Sequence, residues 1–327
     1  LAVTGVQTCA LLIFLEQITD LQRLATPPKP GITCRQFSSY DRKSRLDPKT
    51  GEKIDWKANA DAGQFIRKDP EGYVMADMKG PGCIVRIWSA NPKGDLLFFL
   101  DDRKEPVWKV EFASLIEGKI DPFTSPMVGY QGRGANCFVP IPYQRNCRVV
   151  ATEKDFYYHI DYITWPDNFR VPMFNLAMDD NTRADLFLNN DLLANYNAHM
   201  QEARLWIAEE TGEKTVAPGK TESFIMKGPG AVQSLRFHVD TSGDTLDDVL
   251  RKTLLRITWD DDKSPAVEAP LGDFFGTGPG MNPYRSVPMG IDDDWFYSNW
   301  FMPFTSAKFE FVSMDAPSTI TTSQSLS

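Results

Sequence analysis

Histidine is scarce in this chain, with three residues in 327, and the five cysteines (Cys9, Cys34, Cys83, Cys137 and Cys147) form no CxxC pair and no ligand spacing with the histidines. The usual zinc signatures are therefore missing, and cysteine usage leaves oxidising and reducing compartments equally open. Basic residues are also in deficit: 35 Lys and Arg against 44 Asp and Glu give a formal net charge of -9. No basic stripe interleaved with aromatics is present, so a polyanion finds no electrostatic footprint and nucleic acid is not an expected partner. Long apolar runs are lacking as well. Ala10 to Leu15 is too short to span a bilayer and has no basic flank of the secretory kind, so no membrane partner is expected.

What is present describes an ordinary globular composition, 42% hydrophobic and 24% charged, on a chain long enough for two cores. Eight Trp, 10 Tyr and 21 Phe supply aromatic faces. Sugar rings stack on such faces, but aromatics first fill β-sandwich cores, and core filling is the leading expectation.

Residues 1–32 read as a non-native or linker N-terminus. LAVTGVQTCAL resembles translated sequencing-adapter read-through, so roughly the first dozen residues are set aside and the natural N-terminus, with any signal peptide, is expected to be missing. Gln17 to Ala25 reads as a short amphipathic helix stopped by Pro27, Pro28, Pro30 and Gly31. Residues 33–72 are polar and turn-rich, the composition of an extended arm. From residue 73 to 195 the pattern is that of a first β-sandwich. Val74 to Met78, Cys83 to Trp88, Leu96 to Leu100, Phe138 to Tyr143, Arg148 to Ala151 and Tyr157 to Thr164 are short β-branched or aromatic runs bounded by turn residues. Asp185 to Met200 reads as a linker helix. Residues 196–315 form a second sandwich, opened by strands at Ala203 to Ala208 and Thr221 to Met226 on either side of the turn-rich Gly212 to Gly219, and the Ser/Thr-rich residues 316–327 read as a disordered tail.

Three landmarks repeat in order. Lys79-Gly80-Pro81-Gly82 recurs as Lys227-Gly228-Pro229-Gly230 at an offset of 148. Phe98 to Asp102 with Pro106 recurs as Ile257 to Asp261 with Pro265 at 159, and Val139 to Tyr143 recurs as Trp300 to Phe304 at 161. Slowly growing offsets are what a duplicated domain with loop insertions produces. The fold expected is all-β: two tandem jelly-roll-like sandwiches related by internal duplication.

The stretch Ser264 to Gly280 (SPAVEAPLGDFFGTGPG) reads as a strand ending in a glycine-rich loop. It carries the two carboxylates, Glu268 and Asp273, that serve as fallback catalytic candidates. A fully extended chain separates them by roughly 17 Å on opposite faces, whereas a glycosidase pair needs about 5 to 10 Å. The structural expectation is that Asp273 caps the turn and Glu268 is an exposed strand residue or pairs with an Arg. Trp88, Arg86, Trp300 and Asn282 are the candidate substrate contacts, Trp88 and Trp300 also reading as core at matching edges of the repeat. His159 and His238 read as satisfied sandwich histidines. Ca2+ is the one cofactor suggested, by Asp260-Asp261-Asp262 and Asp292-Asp293-Asp294. Consecutive aspartates on an extended chain point alternately, so solvated turns are expected and no cofactor or metal is assigned.

Five strings in order, MKGPGCIVRIWSANPKG (Met78 to Gly94), CFVPIPYQRNC (Cys137 to Cys147), YYHIDY (Tyr157 to Tyr162), EAPLGDFFGTGPG (Glu268 to Gly280) and WFMPFTSAKFE (Trp300 to Glu310), resemble the family known as domain of unknown function 2961, recognised as glycoside hydrolase family 172. The resemblance covers roughly Thr33 to Val312. It implies paired jelly-rolls, homo-trimers or homo-hexamers with sites near subunit interfaces, a carbohydrate partner, and hydrolysis of furanosides such as D-arabinofuranosides or fructofuranosides. It also implies two catalytic glutamates, in a WGEGDE-like and a GTGTEDYF-like string. Neither string occurs: Gly276-Thr277-Gly278 is followed by Pro279-Gly280 in place of Glu-Asp. The expectation is a C-terminally truncated glycosidase, inactive as it stands; the alternative is a non-catalytic carbohydrate-binding or assembly jelly-roll. An EGDE-like string followed by a GTGxEDYF-like string in the sequence downstream separates the two.

Overall fold

A computed structural model describes residues 10–171, 173–196, 198–199, 208–241, 244–315 and 318–326. The chain divides into two compact units, Leu1–Ile18 with Pro28–Ala194 and Thr19–Pro27 with Asn195–Ser327.

The first unit carries β1 (Thr33–Ser38), β2 (Arg45–Leu46), β3 (Lys53–Ile54), β4 (Arg67–Asp69), β5 (Gly72–Lys79), β6 (Gly82–Ser89), β7 (Asp95–Leu100), β8 (Trp108–Glu111), β9 (Val128–Gln131), β10 (Gly134–Cys137), β11 (Ile141–Tyr143), β12 (Asn146–Ala151) and β13 (Tyr158–Thr164). One sheet has the order β1-β13-β6-β10-β9 with β11 also beside β6, the other β4-β5-β12-β7-β8. Period-two patterning makes the sandwich: in β8, Trp108 and Val110 are buried while Lys109 and Glu111 are exposed. Ile87, Phe98, Trp108, Phe123, Val149 and Ile160 belong to a single buried cluster.

The second unit carries β14 (Ala208–Val216), β15 (Thr221–Thr241), β16 (Thr253–Trp259), β17 (Val267–Pro270), β18 (Met289–Asp292), β19 (Trp295–Ser298), β20 (Met302–Ser313) and β21 (Ser318–Leu326). They run β14-β21-β15-β20-β16-β17, with β19 joining β15 to β18. A helix over Leu246–Lys252 precedes β16. Its start is fixed by Thr245, whose hydroxyl accepts from the Asp248 amide at 3.2 Å, and its buried Val249 and Leu250 join the core.

The duplication is written into the strand register. Gly82 faces Tyr143 and Ile84 faces Ile141 across β6 and β11, while Gly230 faces Phe304 and Val232 faces Met302 across β15 and β20, offsets of 148 on one strand and 161 on the other. The same offsets carry the pair Trp88 and Asn136 onto Arg236 and Tyr297. Turn chemistry repeats as well. The Asp101 carboxylate accepts from the Arg145 amide at 2.6 Å, and the Asp260 carboxylate accepts from the Thr305 amide at 2.6 Å. Both aspartates open left-handed Asp-Asp turns, with φ of 54° and 64° at Asp101 and Asp102 and of 52° and 60° at Asp260 and Asp261. The fold is all-β, two sandwiches of the same topology.

Several boundaries differ from the sequence expectations. Residues 1–32 are not simply a non-native or linker segment: residues 1–9 lie outside the described residues, but a helix α1 (Ala10–Thr19) places Leu15 in the main core and Phe14 against Trp165. Helix 17–25 becomes the end of α1 and a separate 3-10 turn, Gln22–Ala25. The arm at 33–72 supplies real sheet edges, β1 paired with β13 over six positions and β4 paired with β5. Backbone pairing does not require apolar side chains, which is why a polar composition hid it. Of Phe138 to Tyr143 only Ile141–Tyr143 is strand (β11), Phe138 to Pro140 forming the connection from β10. The linker helix runs Asp180–Ala194. The strand expected at 203–208 lies outside the described residues except for Ala208, and the turn-rich 212–219 is instead largely β14. The disordered tail is corrected too: β21 sits between β14 and β15, with Ile320 fully buried as its anchor. Thr-rich strands pass for disorder when only apolar content is counted. Among the described residues no helix is long and apolar enough to cross a membrane.

The repeat also predicts a neutral substitution. Tyr143 is fully buried and its hydroxyl has no hydrogen-bond partner among the described residues, whereas Phe304 fills the equivalent register position without a hydroxyl. Tyr143→Phe should leave stability unchanged or raise it by up to about 1 kcal/mol, since it removes an unsatisfied buried polar group. Urea denaturation measures this, and a loss of more than about 1 kcal/mol would show that the hydroxyl has a partner in solution.

Candidate functional site

Two of the candidate contacts, Arg86 and Trp88, lie on β6 on either side of the buried Ile87, so both project from the sheet face opposite the core. Along part of this face α1 and the segment after β13 act as cover, Phe14, Trp165 and Val171 packing with Cys83. A bulge between Asp161 and Tyr162 shifts the register of β13 against β6 and brings Asp161 opposite Arg86. Past the bulge the face is part-exposed and polar. The Arg86 guanidinium donates to Asp161 Oδ2 at 3.3 Å and, through Nε and Nη2, to Asn136 Oδ1 at 3.3 and 3.2 Å. Gln36 Nε2 donates to Asp161 Oδ1 at 2.7 Å, and Asn136 Nδ2 donates to the Gly134 carbonyl at 3.1 Å. Four strands, β1, β13, β6 and β10, thus contribute one side chain each to a continuous ladder.

In the next row the Trp88 ring lies 4.7 Å from the His159 ring at 33°. Gly134 makes room for the indole, since a Cβ there would lie 2.5 Å from Trp88 Nε1. Burial, with the Arg86 charge adding to it, holds the His159 imidazole below its usual pKa, so the ring is neutral near pH 7. His159, read from the sequence as a satisfied sandwich histidine, is half-buried and packs on the Trp88 ring. Chemically, this face offers a flat aromatic surface beside an array of paired donors and acceptors.

The other candidates lie in the second unit. Glu268, on β17, is exposed and accepts from Arg256 Nε at 2.6 Å. Asp273 lies in the one-turn helix Leu271–Phe274 that follows β17, and its Oδ2 accepts from Arg251 Nη1 while its Oδ1 presses on Gly278, where a Cβ would clash. β17 ends at Pro270 and the one-turn helix starts at Leu271, and each carboxylate is bound to its own arginine. Asn282 spends its side chain on the signature loop, donating to the Thr277 carbonyl at 2.7 Å and the Pro279 carbonyl at 2.8 Å. Trp300 is exposed just before β20. His238 is part-exposed beside Trp295 and Asp240. The triple aspartates form turns, the Asp260 carboxylate being held below its usual range by the Thr305 and Ser306 amides. Among the described residues no group of three or more His, Cys, Asp or Glu side chains is gathered as a metal site.

Sequence reasoning missed Gln36, Asn136 and Asp161. Their only signal was alternation with core residues on strands whose order was not known.

Two family models match the chain, described as GH172 first beta-sandwich domain over residues 30–182 and GH172 domain-like over residues 207–325, together well over half its length. The chain belongs to the GH172 family. In this GH172 protein the first match spans the sandwich that bears Arg86 and Trp88, and the second spans the signature loop. A comparison with curated proteins finds no match. Among solved structures, the STIV MCP is similar at 8% identity and a TM-score of 0.26, covering 90% of this chain and 96% of that one. The major capsid protein P2 from bacteriophage PM2 has 6% identity and a TM-score of 0.23 over 90% and 98%. The 11S allergen from Cocos nucifera has 7% identity and a TM-score of 0.18 over 76% and 78%. Scores this low add nothing to the family assignment.

Proposed function

We propose that this GH172 protein recognises furanosides, D-arabinofuranosides or fructofuranosides, on the part-exposed face of its first sandwich. The observation that carries the reading is that the Gln36–Asp161–Arg86–Asn136 ladder occurs in one copy of the duplication only. At the positions equivalent to Arg86 and Trp88 the second copy has Ser234, bonded to Asn299, and Arg236, lying over the Trp295 ring. A ladder required by the fold would be present in both. The indole of Trp88 suits the C–H face of a sugar, Asp161 accepts from ring hydroxyls, and Arg86 and Asn136 donate to ring oxygens. Family membership supports the carbohydrate class, and the quoted resemblance supports the furanoside.

The chemistry is assigned elsewhere than Glu268 and Asp273. Retaining hydrolysis needs two carboxylates facing one bond, whereas Glu268 and Asp273 are each bound to a different arginine, Arg256 and Arg251. Isothermal titration with arabinofuranosyl and fructofuranosyl oligosaccharides should give binding that Trp88→Ala weakens by about tenfold or more. Release of the phenol from an aryl arabinofuranoside by the same protein should stay at the blank rate. Undiminished affinity in Trp88→Ala would remove the proposed face, and turnover abolished by Glu268→Gln would move the active site to the signature loop.

A further inference from the structure

β1 and β14 occupy the same place in the two copies, β1 beside β13, which pairs with β6, and β14 beside β21, which pairs with β15. The chain that follows them differs. In the second unit β14 reaches β15 through four residues, whereas in the first 33 residues separate the end of β1 from the start of β5. The short connection of the second unit shows that the sandwich closes without the long one, and connections of that length in a compact domain are commonly functional.

Within the long connection, residues 40–57 fold as a braced hairpin arm. β2 and β3 pair Arg45 with Ile54 and Leu46 with Lys53, and Ser44 Oγ donates to the Asp55 carbonyl at 3.0 Å. The turn is tied by Asp47, whose Oδ1 accepts from the Lys49 and Thr50 amides at 2.7 and 3.1 Å. At the base the buried Asp41 accepts from the Lys43 and Ala60 amides, both at 3.0 Å, while its own amide donates to Asp61 Oδ1 at 2.8 Å. The arm's charge runs against that of the rest of the chain: six cations and four acids give it +2, within a chain at -9. Lys43, Arg45, Lys49, Lys53 and Lys57 are exposed, and none of the six cations forms an ion pair with another described residue. Apolar side chains stand among them. Tyr40, Leu46 and Trp56 are 51, 54 and 56% exposed. Leu46 and Lys53 share one face of the hairpin, and Lys53 Nζ lies 5.2 Å from the centroid of the Trp56 ring, so the three form one patch.

We propose that this arm adsorbs the protein to an anionic phospholipid surface, Trp56 and Leu46 entering the headgroup region and the surrounding cations meeting lipid phosphates. Adsorption needs no membrane span, so the lack of one in the chain does not bear on it. Trp and Tyr beside Lys and Arg are suited to a membrane–water interface, where rings sit at the headgroup level and long cationic stems snorkel to water. The arm's 18 residues are fewer than the roughly 20 to 30 a side that a stable protein interface engages, whereas a laterally uniform surface needs no matching shape. Each cation near an anionic leaflet strengthens binding about fivefold, and at physiological ionic strength a Debye length of about 8 Å screens the acidic remainder of the chain. Adsorption by the arm is independent of the furanoside recognition proposed for Arg86 and Trp88.

The test is co-sedimentation of the full chain with vesicles of phosphatidylcholine alone and of phosphatidylcholine containing about 30% phosphatidylglycerol. Binding to the anionic vesicles should be at least about tenfold tighter than to the neutral ones, and should fall as salt rises from about 0.05 to about 0.5 M. Trp56→Ala should weaken it by about tenfold, and Lys49→Glu with Lys53→Glu by about 25-fold or more. Lys104→Glu with Lys263→Glu, at exposed positions outside the arm, makes the same change in net charge and should leave binding within about twofold. Circular dichroism reports that each variant is folded. Equal binding to neutral vesicles, no binding to anionic ones, parental binding by Trp56→Ala, or equal losses in the two charge-reversal pairs would each overturn the inference. So would self-association of the parent, in the absence of lipid, that Trp56→Ala abolishes, since the arm would then belong to a contact with a second copy of this chain.

Discussion

Gly80→Ala and Gly228→Ala should each cost about 3 kcal/mol, the upper end of overpacking penalties. At Gly80 an added Cβ would lie 2.7 Å from the Gln144 carbonyl oxygen, and at Gly228 it would lie 2.7 Å from the Phe304 carbonyl oxygen. In both cases the obstacle is backbone rather than the end of a side chain, the β11–β12 connection at Gln144 and strand β20 at Phe304, so relief requires moving main chain. Gly80 is itself bonded there, its amide donating to the Arg145 carbonyl at 2.7 Å. Gly219→Ala is the control: its φ of +68° is strained for alanine, but nothing lies within 4 Å, and about 1 kcal/mol is expected. Denaturant unfolding gives the three values, and hydrogen exchange read by mass spectrometry should place the Gly80 loss in residues 28–194 and the Gly228 loss in residues 195–327. Equal costs at Gly80 and Gly219 would mean that the close approach is not rigid.

Trp108→Ala should be the most damaging single truncation in the first sandwich, at about 3–5 kcal/mol. The indole is stacked between Phe98 and Phe123, at centroid distances of 4.8 and 4.7 Å, and a third ring, Phe174, lies at 6.1 Å. Removing the centre of that stack leaves a cavity bounded by strands on one side and by the loop carrying Phe123 on the other, and neither can close it without breaking register. Trp108→Phe keeps part of the stack and should lose less than half as much. Urea midpoints for the pair check the ordering, and an alanine variant as stable as the phenylalanine one would show that the site collapses freely.

Much of the fold was legible because duplication prints the same turn chemistry twice. Lys-Gly-Pro-Gly and the Asp-Asp turns recur because the same close approaches and the same left-handed φ values recur, and the offset of the first, 148, is the register offset between β6 and β15. What composition concealed was the role of polar segments. Backbone pairing rather than side-chain burial puts Thr33–Ser38 and Ser318–Leu326 into sheets, and local hydrophobicity carries no record of it. The candidate site was half legible. Arg86 and Trp88 stand out within one strand, but Gln36, Asn136 and Asp161 join them only through strand order, a non-local property that the spacing of residues along the chain does not encode. Glu268 was legible: its spacing from Asp273 argued against a catalytic pair and for an exposed residue paired with an Arg, and Arg256 supplies that partner, while Asp273 is held by Arg251.

The two sandwiches also differ in how their layers are tied. In the first, β5 ends at Lys79 and β6 begins at Gly82, so the two sheets are joined by chain but not by a shared ladder. In the second, β15 over 21 residues and β20 over 12 are single strands of one eight-stranded sheet, β15 pairing on both sides of register shifts at Lys227/Gly230 and Val232/Ser234. A force or a fluctuation that pries at one stretch of that sheet is transmitted along continuous backbone into the rest, as in a folded sheet of metal rather than two plates bolted at an edge.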